Sequence, residues 1–213
     1  MKAGQDSATR LKLRNAAAKL FAHHGYTGVT IRDVCAAAGA NIAAVNYHFD
    51  GKAGLYDEVV TAAMGHMQLT TEHARQAGTG RAAEERLRAY VRVLLTETSP
   101  HAPEAWAHHI MLRELTDPTP SLDRVLEGVV RPRMNDLHRI VAELLSCDAG
   151  DRRVARCAFS IHAQCLAMMN RFYVAQALDQ TADSAVPVEA LDVMVDHITE
   201  FSLAGLWALA RTS

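Results

Sequence analysis

Between Thr30 and Lys52 the chain reads TIRDVCAAAGANIAAVNYHFDGK. These residue types suit contact with a nucleic acid better than they suit bond-making chemistry. The Asn46 amide can donate to and accept from a base edge, and Ile42 and Ala43 can meet a thymine methyl. Tyr47 and His48 offer donors at phosphate distance. Lys52 adds a positive charge in the first turn of the next helix, beside backbone N–H groups that have no helical partner. Thr30, Arg32 and Asn41 complete the candidate set, Thr30 and Asn41 as helix caps and Arg32 as a cation just after the first cap. The competing reading is a set of solvated helix ends, and Asn46 either reads a base or simply faces water.

Two short helices and a tight turn would present these side chains. Thr30 and Asp33 have capping-box spacing at the start of the first helix, which ends near Gly39. Asn41 is a good N-cap for the second helix, which ends around His48 and Phe49. The Gly39-Ala40 turn needs a residue tolerant of positive φ, and small Ala36, Ala37 and Ala38 allow a close helix crossing. At about 100° per residue, placing Val45 inward turns Ala43, Asn46 and Tyr47 outward, with Ile42 nearer the edge. This is the geometry of a helix-turn-helix, in which the second helix enters the major groove.

Charge is distributed to match. Net charge is −2, but residues 1–52 hold seven Lys/Arg against three Asp/Glu, leaving an acidic remainder. A basic head on an acidic body touches phosphates with one end. Other chemistries lack their marks. There is no Gly-rich phosphate loop, nucleophile elbow or paired-carboxylate pattern, so no enzyme and no cofactor are expected. Among the histidines, His23-His24 and His108-His109 are adjacent pairs that diverge on a helix, and His101 lies two turns from His108, so no metal site is expected. Cys35, Cys147, Cys157 and Cys165 show no close pairing and read as small buried hydrophobes. A helical protein-binding adaptor and an uncharacterised all-α enzyme are the alternative functions.

The rest of the chain is expected to be all-α, with about nine helices: an N-terminal three-helix domain with the helix-turn-helix, then a larger C-terminal helical bundle. Leu13, Ala16, Ala17, Leu20 and Phe21 give the first helix its apolar face, and Gly25 ends it. A long helix runs from about Asp50, its expected cap, to the Gly78-Thr79-Gly80 break. Further helices fall at about 81–98, 103–115, 121–146, 151–178 and 188–211, the 121–146 segment kinked or divided by Pro132. No apolar run is long enough to span a bilayer, and a cytoplasmic protein without membrane association is expected.

The stretch ATRLKLRNAAAKLFAHHGYTGVTIRDVCAAAGANIAAVNYHFDGKAGLY resembles the N-terminal domain of the TetR/AcrR family of regulators over about residues 9–56. Phe21, Gly25-Tyr26, the Thr30–Val34 run, Ala38-Gly39, the Tyr47–Phe49 run, Lys52 and Leu55 carry the likeness. Many members have tyrosine where this chain has Asn46. The ANIAAVNYHF form, with Met111–Leu115 followed by Asp117-Pro118-Thr119-Pro120, is similar to a subgroup labelled CerR- or CecR-like, which has a longer C-terminal domain. The resemblance implies a homodimer whose two heads read a palindromic double-stranded DNA operator, usually as a repressor. It implies residues 1–52 as the DNA-binding domain and 53–213 as the domain that dimerises and holds a small-molecule effector. In this family the position of Thr30 commonly meets a phosphate.

Trp106, His109, Met111, Arg113, Gln164, Met168, Arg171 and Tyr173 mix bulk with polar handles, as ligand cavities do; ordinary core packing is the alternative. Apolar stripes that include Phe159, and Leu191, Val195, Ile198 and Phe201, mark the last two helices as the dimer face, or in part as intramolecular core.

Overall fold

The structure, a computed structural model, describes residues 2–97, 104–178 and 191–211, with side chains at 6–96, 104–167 and 191–211. The described residues are helical, without a strand. The elements are α1 (Lys2–His24), α2 (Ile31–Ala38), α3 (Ile42–Phe49), α4 (Lys52–Gly78), α5 (Ala83–Glu97), α6 (Ala105–Thr116), α7 (Leu122–Val125), a π-helical turn (Leu126–Val130), α8 (Arg131–Leu145), α9 (Arg152–Leu178) and α10 (Leu191–Ala210). With α7, the π turn and α8 taken as one interrupted helix, nine helices remain.

Pro132 accounts for the interruption. It has no N–H to give the carbonyl four residues earlier, and its ring crowds that turn. The backbone widens into the π turn just before it. The carbonyl left over belongs to Gly128, and the Gln68 amide supplies the missing donor at 2.8 Å. The Met64 side chain ends close by: a Cβ on Gly128 would lie 2.7 Å from Met64 Cε.

The chain divides into two compact units. The first comprises Met1–Gln68 and Trp106–Val129; the second comprises Leu69–Ala105 and Val130–Ser213. Helix α4 passes from one to the other. In the first unit α1, α2 and α3 pack on one another around Leu13, Ala17, Phe21, Val34, Val45 and Phe49, all buried. In the second, α5, α8, α9 and α10 form a bundle cored by Leu87, Val91, Leu94, Leu137, Val141 and Val195 among others.

Asp50 does not open α4. It closes α3 in the left-handed region at φ 56°, donating its N–H to the Asn46 carbonyl, and α4 starts after Gly51. Phe49 must turn into the core, so the chain reverses sharply before α4. A Cβ at Gly54 would sit 1.8 Å from the Phe49 carbonyl oxygen, and only glycine allows α4 to start this close to the end of α3.

Candidate nucleic-acid interface and ligand cavity

Local capping builds the helix-turn-helix. The Thr30 hydroxyl accepts from the Asp33 N–H at 3.2 Å, while the Asp33 carboxylate accepts from the Thr30 N–H at 2.8 Å and its hydroxyl at 2.7 Å. These donors hold the Asp33 carboxyl below the ordinary carboxylate range. Gly39 ends α2 at φ 63°, a left-handed position that a side chain would strain. The Asn41 side chain then accepts from the Ala44 N–H at 2.9 Å and starts α3.

Helix α3 has a buried seam of Val45 and Phe49. Opposite it, Ala43 and Asn46 are exposed, Ile42 is 44% exposed and Tyr47 is 75% exposed. This outer face sets apolar and aromatic side chains beside an amide. Thr30, Arg32 and Asn41 are also exposed.

His48 and Lys52 differ from the other candidates. The His48 side chain is only 10% exposed, edge-on to Tyr47, with Nε2 3.8 Å from an Asp6 carboxylate oxygen. The Lys52 ammonium lies 4.5 Å from the centre of the Tyr26 ring. That cation–π contact aims the charge while leaving it intact.

The MLREL segment has a structural duty in the first unit. Arg113 donates Nε to the Ala22 carbonyl at 3.0 Å and Nη2 to the His23 carbonyl at 2.5 Å, so it caps the C-terminal end of α1. Glu114, fully buried, accepts from the Tyr56 hydroxyl at 2.5 Å and from the Thr119 hydroxyl at 2.9 Å. Burial and that carboxylate push the Tyr56 phenol up, which keeps its proton in place as a donor. Asp57 accepts from Arg124 at 2.5 Å. Helices α6 and α7 are thus tied by polar contacts to α1 and α4. The proline-rich DPTP run turns Thr119 back onto Glu114.

These ties give α6 residues expected at an effector site contacts within their own unit. Met111 is 3% exposed and packs in the core. Arg113 is occupied by α1 carbonyls, and Trp106 and His109 are half-buried on the same helix. On α9 the half-buried Gln164 amide donates to its own helix at the Ser160 carbonyl. Met168, Arg171 and Tyr173 lie outside the residues whose side chains are described.

The second unit contains a cavity of about 270 Å³ between the end of α4, α5 and α8. Its walls include Ala74, Val93, Leu94 and Ile140, with Thr71, Tyr90, Asp136 and five arginines: Arg75, Arg81, Arg86, Arg133 and Arg139. Of the eight side chains expected at a pocket, the five described ones, Trp106, His109, Met111, Arg113 and Gln164, are not among its lining residues. The spacing of Arg86, Tyr90 and Leu94 on α5, and of Arg133, Asp136 and Ile140 on α8, marks one face of each helix. The sequence carries that signal but not the information that the two faces meet.

The expected dimer residues also separate. Val195 and Ile198 are 0% and 1% exposed inside their own chain, because α10 turns that stripe toward α5 and α8. They are core. Phe159, Leu191 and Phe201 are exposed at 70%, 38% and 65%, joined by Val193 and Trp207, which is 46% exposed. Cys35 and Cys165 are buried and Cys147 and Cys157 half-buried, all free thiols. No group of His, Cys, Asp or Glu among the described residues could hold a metal ion. None of the helices searched is long and apolar enough to cross a membrane.

A capped helix-turn-helix in one unit and a helical bundle with its own cavity in the other define a helix-turn-helix regulator. Residues 13–59 match the family described as bacterial regulatory proteins, tetR family. Residues 83–206 match that described as HTH-type transcriptional dual regulator CecR, C-terminal domain. The chain belongs to the tetR family of bacterial regulatory proteins, with a C-terminal domain of the CecR kind. It is 29% identical over 150 residues to the HTH-type transcriptional dual regulator CecR of Shigella flexneri, covering 65% of this chain and 66% of that one. It is 39% identical over 54 residues to the HTH-type transcriptional repressor KstR2 of Rhodococcus jostii, covering 25% and 26%. It is 28% identical over 94 residues to the probable HTH-type transcriptional regulator YttP of Bacillus subtilis, covering 44% and 45%. Each match covers less than two thirds of the relative's own length.

Solved structures share the fold over nearly the whole chain. A tetR-family regulatory protein from Rhodococcus RHA1 superposes with a TM-score of 0.65 at 19% identity, covering 93% of this chain and 96% of that one. FadR from Bacillus subtilis, solved in complex with stearoyl-CoA, gives 0.63 at 16% identity, covering 92% and 98%.

Proposed function

We propose that this protein is a ligand-responsive transcriptional regulator, acting as a repressor, that binds a palindromic operator as a homodimer. The observation that carries this reading is α3: an anchored seam of Val45 and Phe49 with Ile42, Ala43, Asn46 and Tyr47 left outside. Such a helix fits a major groove, with Asn46 on a base edge and Ile42 and Ala43 against thymine methyls. Thr30, Arg32, Asn41, Tyr47 and Lys52 flank it as phosphate contacts. His48, mostly buried against Tyr47, serves the interface by holding Tyr47 and α3 in place.

Residues 1–52 are the reading domain in this proposal, and 53–213 the domain for ligand and dimer. Phe159, Leu191, Val193, Phe201 and Trp207 supply the apolar surface through which α9 and α10 meet a second copy as a four-helix bundle. Two heads must then stand about 34–36 Å apart to enter successive grooves, and an effector that prefers another spacing lowers DNA affinity. The ligand named for FadR supports a small-molecule effector as the input.

The test is a titration of the purified protein against DNA from upstream of its own coding region at several salt concentrations. Lys52→Ala is expected to weaken binding to specific and random DNA alike and to lower the salt slope by about 1. Changing Asn46 is expected to alter sequence preference more than nonspecific affinity. Failure to bind any fragment in a genomic selection would favour the helical adaptor instead.

A further inference from the structure

We infer that the arginine-lined cavity between α4, α5 and α8 binds a small organic anion: a carboxylate or phosphate headgroup on a compact apolar body. This deepens the ligand-responsive reading and rests on it only where occupancy is to be felt by DNA. The cavity's own chemistry supports it.

Size comes first. About 270 Å³ holds on the order of ten non-hydrogen atoms, a little under the usual range for larger ligands. Charge decides the class. Among the described residues, five arginines and one aspartate line the space. Asp136 is paired with Arg139, while the carboxylates that pair with Arg75 and Arg86, those of Glu72 and Glu143, are not among the lining residues.

Arg133 is the deepest of the five, at 5% exposure. It donates Nε and Nη2 to the Thr71 hydroxyl at 3.0 and 2.8 Å. The Thr71 hydroxyl thereby fixes the orientation of the guanidinium. Burial, with a smaller contribution from the nearby Arg133 charge, holds the His162 imidazole down to about 4. His162 therefore stays neutral and anchors the hydroxyl of Tyr90 at 2.8 Å, itself a lining residue.

Two donors await an acceptor. The Nε–H of Arg86 is buried with no hydrogen-bond partner among the described residues. The exposed Arg81 side chain, also a lining residue, makes no hydrogen bond or ion pair with them either. Buried donors without partners are rare in a folded chain, and an anionic oxygen would satisfy the Arg86 group. Val93, Leu94 and Ile140 supply the apolar wall on which the rest of the molecule would lie. Gly78 keeps this arrangement, since a Cβ there would meet Arg86 Cγ at 2.9 Å.

The experiment is calorimetric titration of the full chain, without DNA, with octanoate, octyl phosphate, octanol and inorganic phosphate. Both amphiphilic anions are expected to bind saturably, at least about tenfold more tightly than octanol or bare phosphate. Arg133→Gln is expected to cost about tenfold for the anions and nothing for octanol. Arg81→Gln, on an exposed residue the fold does not need, is expected to cost about threefold and keeps the test alive if the buried variant fails to fold. Equal binding of octanol and octanoate, no saturable binding of either anion below about 1 mM, an unchanged anion affinity in a folded Arg133→Gln, or an unchanged anion affinity in Arg81→Gln would each overturn the assignment. A separate arm measures DNA affinity with octanoate present: anion binding without any change there would uphold the cavity's chemistry and refute the ligand-responsive reading.

Discussion

Tyr56→Phe removes one oxygen from the middle of the first unit and isolates the tie between α4 and α6. The ring should stay where it is, since it is held edge-on to Phe21 with centroids 5.0 Å apart and lies 4.8 Å from Tyr26. What is lost is the 2.5 Å hydrogen bond to a carboxylate with no exposed surface. Hydrogen bonds to charged groups contribute about 1.5–3 kcal/mol, and a buried acceptor cannot recover the loss from water. The expected destabilisation is about 2 kcal/mol. For a chain of 213 residues, that corresponds to a fall in Tm of about 4–8 °C. Far-UV circular dichroism on heating at pH 7 would measure it. Thr119→Val takes away another donor to the same carboxylate, so the double variant should depart from additivity by at least about 0.5 kcal/mol. A fall in Tm of less than about 1 °C, or strict additivity, would refute the view that Glu114 is the shared anchor of these helices.

Unfolded His162 takes a proton below about pH 6.5, whereas burial and Arg133 keep the folded imidazole neutral until about pH 4. Between those values the unfolded chain binds more protons, so stability falls as pH drops from 6.5 to 4, by about 3 kcal/mol in total. Urea midpoints across that window should show the slope, and His162→Gln should lose most of it. Thr30→Ala should cost about 1 kcal/mol through the lost cap of α2, read by urea unfolding, and lower DNA affinity as well. Gly54→Ala should disrupt the junction of α3 and α4 and abolish DNA binding while leaving the helical content of the second unit largely in place. Circular dichroism and a DNA titration would show both effects. Phe201→Glu should shift the mass measured by light scattering from dimer toward monomer; an unchanged mass would move the dimer face elsewhere.

Much of the reading head was legible in the residues because its determinants are local. Capping at Thr30 and Asn41, the left-handed position of Gly39 and the inward turn of Val45 all follow from spacings of a few residues. Helical periodicity likewise gave the class of fold, and the missing N–H of Pro132 located the break in the 121–146 segment. Asp50 is the local exception: its role as the end of α3 depends on Phe49 turning into the core.

The remainder depended on which faces meet. An apolar stripe on α10 reads the same whether it is covered by its own chain or by a second copy, and packing on α5 and α8 claimed Val195 and Ile198 while leaving Phe201 outside. Arg113 looked like a polar handle for a ligand, yet the end of α1 lies within its reach. Arginines spread from 75 to 139 carry no mutual signal until the turn after Gly78 and the bundle bring them around one cavity. Periodicity along a helix specifies a direction relative to its own axis; what stands in that direction is decided by contacts between residues far apart in the chain.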